Sequence, residues 1–158
     1  MQKLTPCLWF DRNAEEAVAF YTSVFKDSKI DAVTRYQKGG MGPAGSVMTI
    51  AFRLAGQKFL ALNGGPIYKF TPALSLIVNC RSQKKVDAYW EKLSKGGKVV
   101  QCGWLTDKYG LSWQIVPIEL QEMLLDKDAR KTRRVMDALL KMKKLDLKAL
   151  QQAYKGKA

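Results

Sequence analysis

The chain has 158 residues, of which 47% are hydrophobic and 26% are charged, a balance that indicates one globular domain or two small modules with a shared core. It contains no histidine, which excludes histidine-based metal centres and Ser-His-Asp hydrolases. Its 27 lysines and arginines outnumber its 14 acidic residues, so the formal net charge is +13.

The first half of the chain is predicted to form a strand, a helix and three more strands. Residues 3–10 are typical of a strand, and residues 13–25 of an amphipathic helix with Asn13 as its N-cap. The apolar face of this helix contains Ala17, Phe20, Tyr21 and Val24. Further strands are predicted at 29–37, 46–54 and 58–63, and glycine-rich turns at 39–45 and 55–57 separate them.

The same pattern begins again at residue 73. A strand at 73–80 precedes a helix at 82–94, for which Ser82 is a suitable N-cap, and a strand at 98–104 leads into a hairpin at 102–117. The apolar helix positions 17, 20, 21 and 24 recur 69 residues later, at 86, 89, 90 and 93. This internal repeat predicts a unit of strand, helix and strands that occurs twice.

The hairpin contains two tryptophans, Trp104 and Trp113, which we interpret as structural residues. Trp113 and Ile115 alternate toward a face that a helix is expected to cover. Asp107 is the first residue of a predicted type I turn closed by Gly110, and we prefer this role to acid–base catalysis.

After Pro117 the sequence predicts a helical appendage over 118–158, with helices at 119–125 and 129–147. Val135, Leu139 and Met142 are expected to dock on the sheet module or on a partner subunit. Residues 127–158 contain 11 lysines and arginines and 3 aspartates. A solvated basic helix face is the preferred interpretation, with nucleic-acid binding as the alternative, because no nucleic-acid-binding motif accompanies the charge.

The three cysteines, Cys7, Cys80 and Cys102, are far apart and lie in apolar runs. We interpret them as buried thiols in a reducing compartment. The first ten residues have no long apolar core and no cleavage site, and no run approaches the roughly 18 apolar residues of a membrane span. We therefore expect a cytoplasmic protein that makes no membrane contact.

Several segments together resemble the PhnB-like family, often labelled "3-demethylubiquinone-9 3-methyltransferase", of the vicinal-oxygen-chelate superfamily. That superfamily includes glyoxalase I, bleomycin-resistance proteins and ring-cleaving dioxygenases. The resemblance implies an α+β fold of two βαβββ modules with curved mixed sheets. The modules would cover about 1–64 and 73–117 and together make up a paired region over residues 1–117. The resemblance also implies a homodimer. It is carried by "LTPCLWFDRNAEEAVAFYTSVF", "AGSVMTIAFRLAGQKFLALNGGP", "VNCRSQKKVDAYWEKLSKGG" and "QCGWLTDKYGLSWQIVP", and the closing "RVMDALLKMKKLDLKAL" is similar to the tail of the same family.

The resemblance also implies positions for metal ligands, on the first and last strands of each module. These positions fall on Pro6, Asn63, Ser75 and Gln114. None is a strong ligand for a first-row transition metal, and proline has no side-chain donor atom. We therefore expect that the glyoxalase-type metal site is absent and that the protein needs no cofactor.

What remains is a predicted apolar cup with a few amide and hydroxyl groups, suited to a small organic ligand. The alternative is that these polar groups satisfy one another and ordered water. Asn63 is a candidate ligand-binding residue through the resemblance alone, whereas strand alternation places the other candidates on common strand faces, which would line the cup if those faces are concave. The candidate ligand-binding residues are Leu8, Phe10, Asn63, Ser75, Asn79, Ser112 and Gln114.

Three functional hypotheses follow. The first is a metal-free small-molecule-binding protein. The second is a superfamily enzyme, a lyase or a methyltransferase as the family label suggests, although the glycine-rich segment 39–45 joins two strands and precedes no helix, unlike a Rossmann-type methyl-donor site. The third is an interaction or nucleic-acid-binding module that uses the basic tail. The sequence identifies no catalytic residue.

Overall fold

The computed structural model describes residues 2–157 and divides the chain into two compact units, Met1–Phe70 and Thr71–Ala158. Each unit contains one four-stranded mixed sheet, so the predicted α+β fold of two βαβββ modules is confirmed. Among the described residues, no helix combines the length and apolar character required to cross a bilayer.

The first unit follows the predicted order of elements. They are β1 (Cys7–Phe10), α1 (Ala14–Val24), β2 (Lys29–Arg35), β3 (Val47–Leu54) and β4 (Gln57–Asn63). The strand order in the sheet is β1-β4-β3-β2, with β1 parallel to β4 and the other pairs antiparallel.

One face of the first sheet is packed against α1. Leu8 and Phe10 pair with Ala61 and Asn63 across β1 and β4, and the Asn63 side chain reaches the first backbone N–H of α1. The apolar residues of this face are buried, as is the inner side of the helix. The opposite side, which we call the first open face, contains Cys7, Trp9, Thr49, Ala51, Leu60 and Leu62.

The second unit repeats this topology, but the two strands after its helix have two and three residues, whereas those of the first unit have seven and eight. Its strand order is β5-β8-β7-β6, with β5 parallel to β8. The predicted strand at 98–104 is wrong in its middle, because Cys102 and Gly103 adopt positive φ angles of 60° and 80° and interrupt it with a turn. The elements are β5 (Ser75–Cys80), α2 (Gln83–Ser94), β6 (Lys98–Val99), β7 (Trp104–Thr106) and β8 (Ser112–Pro117).

Helix α2 covers one face of the second sheet. Ser82 caps it as predicted, since its hydroxyl oxygen accepts the Lys85 N–H. Trp113 and Ile115 are buried on the covered face, which confirms their predicted orientation. The other side, which we call the second open face, contains Ser75, Ile77, Asn79, Trp104, Ser112 and Gln114.

The C-terminal residues form three helices that belong to the second unit: α3 (Ile118–Leu124), α4 (Ala129–Leu139) and α5 (Leu147–Lys155). The predicted single helix at 129–147 ends at Leu139 instead, and Asp146 caps the next helix by accepting the Ala149 N–H. Backbone hydrogen bonds of 2.7 Å from Cys102 to Met142 and from Gly103 to Lys143 join the segment to the sheet module. Its buried core contains Leu120, Met123, Val135, Leu139, Leu145 and Leu150, with Met142 packed against it.

Candidate functional site

The second open face brings together most of the polar residues that were predicted to bind a ligand. Gln114 Nε2 donates a hydrogen bond of 2.9 Å to Ser75 Oγ. Ser112 pairs with Ser75 across the strands and is buried, whereas Asn79 is exposed near the other end of β5. These residues therefore form one row of neutral donors and acceptors, next to an exposed Ile77.

Trp104 is a further residue of this face that our sequence interpretation missed. It pairs directly with Gln114 across β7 and β8 and is half-buried. We interpreted both hairpin tryptophans as structural, which is confirmed only for Trp113. The hairpin register contained the necessary signal, because directly opposed residues on antiparallel strands point to the same face.

In the first unit, the expected positions of Leu8 and Phe10 are wrong. Both side chains are buried, at 0% and 3% exposure, on the face packed against α1. Phe10 makes an edge-to-face contact with Phe70, at a centroid distance of 5.2 Å. Packing in the hydrophobic core therefore accounts for both residues, and they do not line the first open face.

Asn63 also lies on the α1 side and is 8% exposed. Its Oδ1 accepts the Ala14 N–H at 2.9 Å, and its Nδ2 donates to Glu15 Oε2 at 2.8 Å and to the Val47 carbonyl at 3.1 Å. Asn13 occupies the predicted N-cap position but makes no side-chain capping bond. Asn63 therefore caps α1 from the end of a distant strand, which local sequence patterns do not reveal.

A cavity of about 310 Å³ lies at this end of the first unit. Asn63 is in its wall, together with the end of β1, the start of α1, the loop between β2 and β3, and the residues after β4. The Tyr36 hydroxyl donates to the Asn63 carbonyl at 2.7 Å and closes one side. Charged groups come from Asp11, Arg12 and Glu15, and apolar surface from Met41 and Ile67.

Glycines allow aromatic rings to pack closely around this cavity. A Cβ atom at Gly42 would lie 2.4 Å from the Tyr36 ring, and one at Gly64 would lie 2.3 Å from the Trp9 ring. Gly42 belongs to the segment 39–45, which we had interpreted only as a turn. The predicted turn role holds for the segment at 39–45, which joins β2 to β3, but ring packing is an additional reason for glycine there.

The acidic group in the hairpin is structural, as predicted. Asp107 is 3% exposed, and the Gly110 N–H donates to its backbone carbonyl at 3.0 Å. Its carboxylate accepts the N–H groups of Tyr109 at 2.8 Å and Leu111 at 3.1 Å, and Trp113 Nε1 donates to its second oxygen at 2.8 Å. These bonds fix the turn and the Trp113 ring.

Two of the three thiols, Cys7 and Cys80, lie in environments that raise their pKa. Burial raises the pKa of the Cys80 thiol to about 11, although Lys85 opposes this shift. Partial desolvation also raises the pKa of Cys7, which is exposed on the first open face and is thus not a buried thiol as we expected. A nucleophilic cysteine needs a lowered pKa, so these two environments do not favour thiolate chemistry.

The ligand set of a divalent metal centre does not fit the residues present. Within residues 2–157, no three histidine, cysteine or acidic side chains are grouped so that they could hold a metal ion. Of the four positions inferred from the resemblance, Ser75 and Gln114 meet, but they offer only a neutral hydroxyl and amide. Asn63 points to α1 and uses its side-chain amide there.

Comparison with known proteins supports the family resemblance. The family model described as 3-demethylubiquinone-9 3-methyltransferase matches residues 2–116. The chain is 38% identical to the PhnB protein of Bacillus cereus, with a TM-score of 0.68 over 73% of this chain and 99% of that chain. No functionally curated protein matches the chain.

Two more distant structures share the fold. Protein PA1353 of Pseudomonas aeruginosa is 19% identical, with a TM-score of 0.61 over 74% of this chain and 98% of that chain. The fosfomycin resistance protein FosX of Listeria monocytogenes is 16% identical, with a TM-score of 0.59 over 79% of this chain and 98% of that one. The family match ends at residue 116, so it does not include the closing helices that we had compared with the family tail.

Proposed function

Because the chain belongs to the 3-demethylubiquinone-9 3-methyltransferase family, a PhnB-like branch of the vicinal-oxygen-chelate superfamily, we propose that it is a metal-free small-molecule-binding protein. The observation that carries the proposal is the cavity of about 310 Å³ in the first unit. Its volume is within the range of small-ligand sites, and its lining combines apolar surface with a few polar groups.

The cavity wall contains a carboxylate with a fixed position. Glu15 Oε2 accepts a hydrogen bond of 2.8 Å from Asn63, whose buried side-chain amide is also bonded to the Ala14 N–H and to the Val47 carbonyl. The position of Glu15 is therefore set before any ligand binds, which reduces the entropy cost of binding. A ligand that suits this cavity has a hydrogen-bond donor for Glu15 and an apolar part that contacts Met41 and Ile67.

The second open face is the other location for a ligand. The predicted ligand-binding role of Ser75, Asn79, Ser112 and Gln114 remains a proposal, which the family resemblance suggests for Ser75 and Gln114 and strand alternation for Asn79 and Ser112. The Ser75–Gln114 hydrogen bond supports it, because it holds two polar groups together beside the half-buried Trp104 ring. Such a pair can exchange its internal bond for bonds to a ligand amide or carboxylate.

The metal-free part of the proposal is supported by the chemistry of the side chains. The positions inferred for metal ligands offer amide and hydroxyl groups, and the chain has no histidine. Divalent metals of the glyoxalase type require carboxylate or imidazole ligands. Strong stabilisation by nickel, zinc or manganese ions would contradict this part.

The other hypotheses receive less support. For an enzyme, burial raises the pKa of the Cys7 and Cys80 thiols, and Asp107 is occupied by its turn. For nucleic-acid binding, three cations of the basic tail already serve the second unit: Lys131 contacts Asp126, Lys144 contacts Asp87 and Arg134 binds backbone carbonyls. A reducing cytoplasm and a homodimer remain proposals; the three free thiols are compatible with the former, and light scattering tests the latter.

A thermal-shift screen tests the proposal. The probes are small organic amines, alcohols and carboxylic acids, each measured with and without divalent metals. The Glu15→Gln variant removes the charge that faces the cavity, and Glu16→Gln is its matched control, since Glu16 is exposed on the same helical turn and outside the cavity wall. We expect bound amines and alcohols, which can donate a hydrogen bond to Glu15, to lose about tenfold in affinity in E15Q, which equals about 1.4 kcal/mol.

Two results distinguish the locations. A compound that is weakened by Gln114→Ala and unchanged by E15Q binds on the second open face. Compounds that bind E15Q, Q114A and the unaltered protein equally well would contradict both proposed locations.

A further inference from the structure

The C-terminal helices, which lie outside the range matched by the family model, form a groove of their own. The groove has a volume of about 510 Å³ and lies between α4 and α5 with the residues that follow each helix. Its apolar part comes from Ala138, Met142 and Ala153. Its charged part contains three cations, Arg134, Lys141 and Lys157, and one carboxylate, Asp137.

Arg134 is held in a fixed position within this groove. Its Nε donates to the Ala153 carbonyl at 2.9 Å, and its Nη2 donates to the Tyr154 carbonyl at 2.8 Å. These bonds satisfy carbonyls at the end of α5, where the partial charge of a helix is negative. The remaining nitrogen, Nη1, has no hydrogen bond within residues 2–157, so the N–H groups on one edge of an ordered guanidinium are available to a ligand.

The other two cations are also available. Within residues 2–157, neither Lys141 nor Lys157 forms an ion pair, and both are exposed. The groove therefore has a local excess of positive charge, because Asp137 is its one acidic side chain. The segment 127–158, with 11 basic and 3 acidic residues, extends this positive field and attracts anions toward the groove.

We propose that this groove binds an amphipathic anion, namely a single aliphatic chain that ends in a carboxylate or a phosphate monoester. The anionic group would contact Arg134, Lys141 and Lys157, and the chain would lie against Ala138, Met142 and Ala153. Guanidinium groups bind carboxylate and phosphate oxygens through paired hydrogen bonds. The volume is suited to one such molecule, and the site is separate from both locations proposed for the family ligand.

Binding of decyl phosphate below its micelle concentration, measured by calorimetry with the full chain, tests the proposal. The double variant Lys141→Glu/Lys157→Glu reverses two groove charges. Lys127→Glu/Lys148→Glu is the matched control, because it changes the net charge equally at exposed positions outside the groove. We expect Kd to rise at least tenfold in the groove variant and less than twofold in the control.

A chain-length series on the unaltered protein tests the apolar part. Affinity should rise from ethyl to octyl to decyl phosphate, and decyltrimethylammonium should not bind, because it has the same chain with the opposite charge. Equal weakening by the two double variants would overturn the proposal, since it would indicate diffuse charge attraction. Absence of a chain-length effect would overturn it as well, as would binding to phosphatidylglycerol vesicles or to an oligonucleotide without binding of monomeric decyl phosphate.

Discussion

The two βαβββ units share one topology but differ by one residue in how strand and helix are joined. In the helices, buried positions recur 69 residues later in the sequence, since Ala17 corresponds to Val86 and Val24 to Leu93. In the first strand of each unit, buried positions recur 70 residues later in the sequence, as Leu8 corresponds to Val78 and Phe10 to Cys80. The second unit therefore has one residue fewer between its first strand and its helix.

This single residue explains the error in our assignment of Leu8 and Phe10. A sequence offset of 69 residues aligns Leu8 with Ile77 and Phe10 with Asn79. Ile77 and Asn79 lie on the second open face. Successive strand residues point to opposite faces, so a shift of one residue moves every side chain to the other side of the sheet. A repeat measured on helices is thus insufficient to assign the faces of strands.

The corrected alignment also shows that the two open faces differ chemically. Cys7 corresponds to Ile77 and Trp9 to Asn79, and Leu60 takes the place of Gln114 because it pairs with Cys7. The first open face is therefore mainly apolar, whereas the second contains the row of neutral polar groups. The corrected positions in the first unit introduce no histidine or carboxylate, so they leave the metal-free proposal unchanged.

Thiol labelling gives the largest expected difference between the faces. Cys7 is on the first open face and Cys80 is buried on the α2 side, where its pKa is raised to about 11. At pH 8, a pKa of about 11 reduces the thiolate fraction about 100-fold relative to a thiol of pKa 9, and thiolate is the reactive form. Mass spectrometry of iodoacetamide-treated protein should show Cys7 modified much faster than Cys80, because Cys7 is exposed and Cys80 is buried.

The pH dependence of this labelling follows from the same burial. The Cys80 rate should rise about tenfold for each pH unit up to about 11, because each unit raises the thiolate fraction tenfold. Folding stability should fall from about pH 9 to 11, since the unfolded thiol loses its proton first. Labelling in guanidinium chloride is the control and should remove the difference; equal rates in the folded protein would contradict the assignment.

Truncation of Leu8 and Ile77 compares two positions that a distance of 69 treats as equivalent. Leu8 is 0% exposed and Ile77 is 56% exposed. We expect Leu8→Ala to reduce the free energy of unfolding by about 3 kcal/mol, and Ile77→Ala by less than about 1 kcal/mol. Denaturant unfolding measures both. Similar losses of unfolding free energy would mean that Leu8 and Ile77 are equally buried, and they would contradict the strand offset of 70 residues.

Much of the fold could be predicted from the sequence, because helix and strand periods are local. The α1 and α2 helices and the hairpin turn at Asp107 required no long-range information, and the family resemblance implied the two βαβββ modules. The site was harder, because its geometry depends on contacts between distant residues. Asn63 reaches the start of α1 across 49 residues of sequence, and the cavity forms only where four segments meet.

The amides of Asn63 and Gln114 give a smaller but more specific comparison. We had assigned both to a ligand site, yet Asn63 makes two buried hydrogen bonds and one partly buried bond, whereas Gln114 makes one partly buried bond. Asn63→Ala should reduce stability by about 2 kcal/mol, since it leaves the Ala14 N–H unpaired, and Gln114→Ala by less than about 1 kcal/mol. Unfolding curves at pH 7 test this order. A greater loss in Q114A would assign Gln114 a structural role.

The smallest expected effect concerns the edge strands, which differ between the units. Edge strand β2 has seven residues and contains a bulge at Asp31, whereas its counterpart β6 has two. The pKa of Asp31 is lowered, mainly because its carboxylate accepts a hydrogen bond from Arg53. The positive charges of Arg53 and Lys29 lower it further. A lowered carboxyl pKa stabilises the fold above the ordinary aspartate range, and this contribution is lost as the pH falls through the folded-state pKa.

Asp31→Asn should therefore remove a small part of the acid sensitivity of the first unit. The effect is small because the pair is exposed, and added salt should reduce it further. Lys144 and Asp87 form the comparison pair in the second unit, where the carboxylate is more exposed, at 46% against 26% for Asp31. If Asp87→Asn changes the acid limb of the unfolding curve as little as D31N does, surface pairs contribute equally in both units. Loss of β2 amide protection in D31N alone would instead show that the ion pair holds the long edge strand in place.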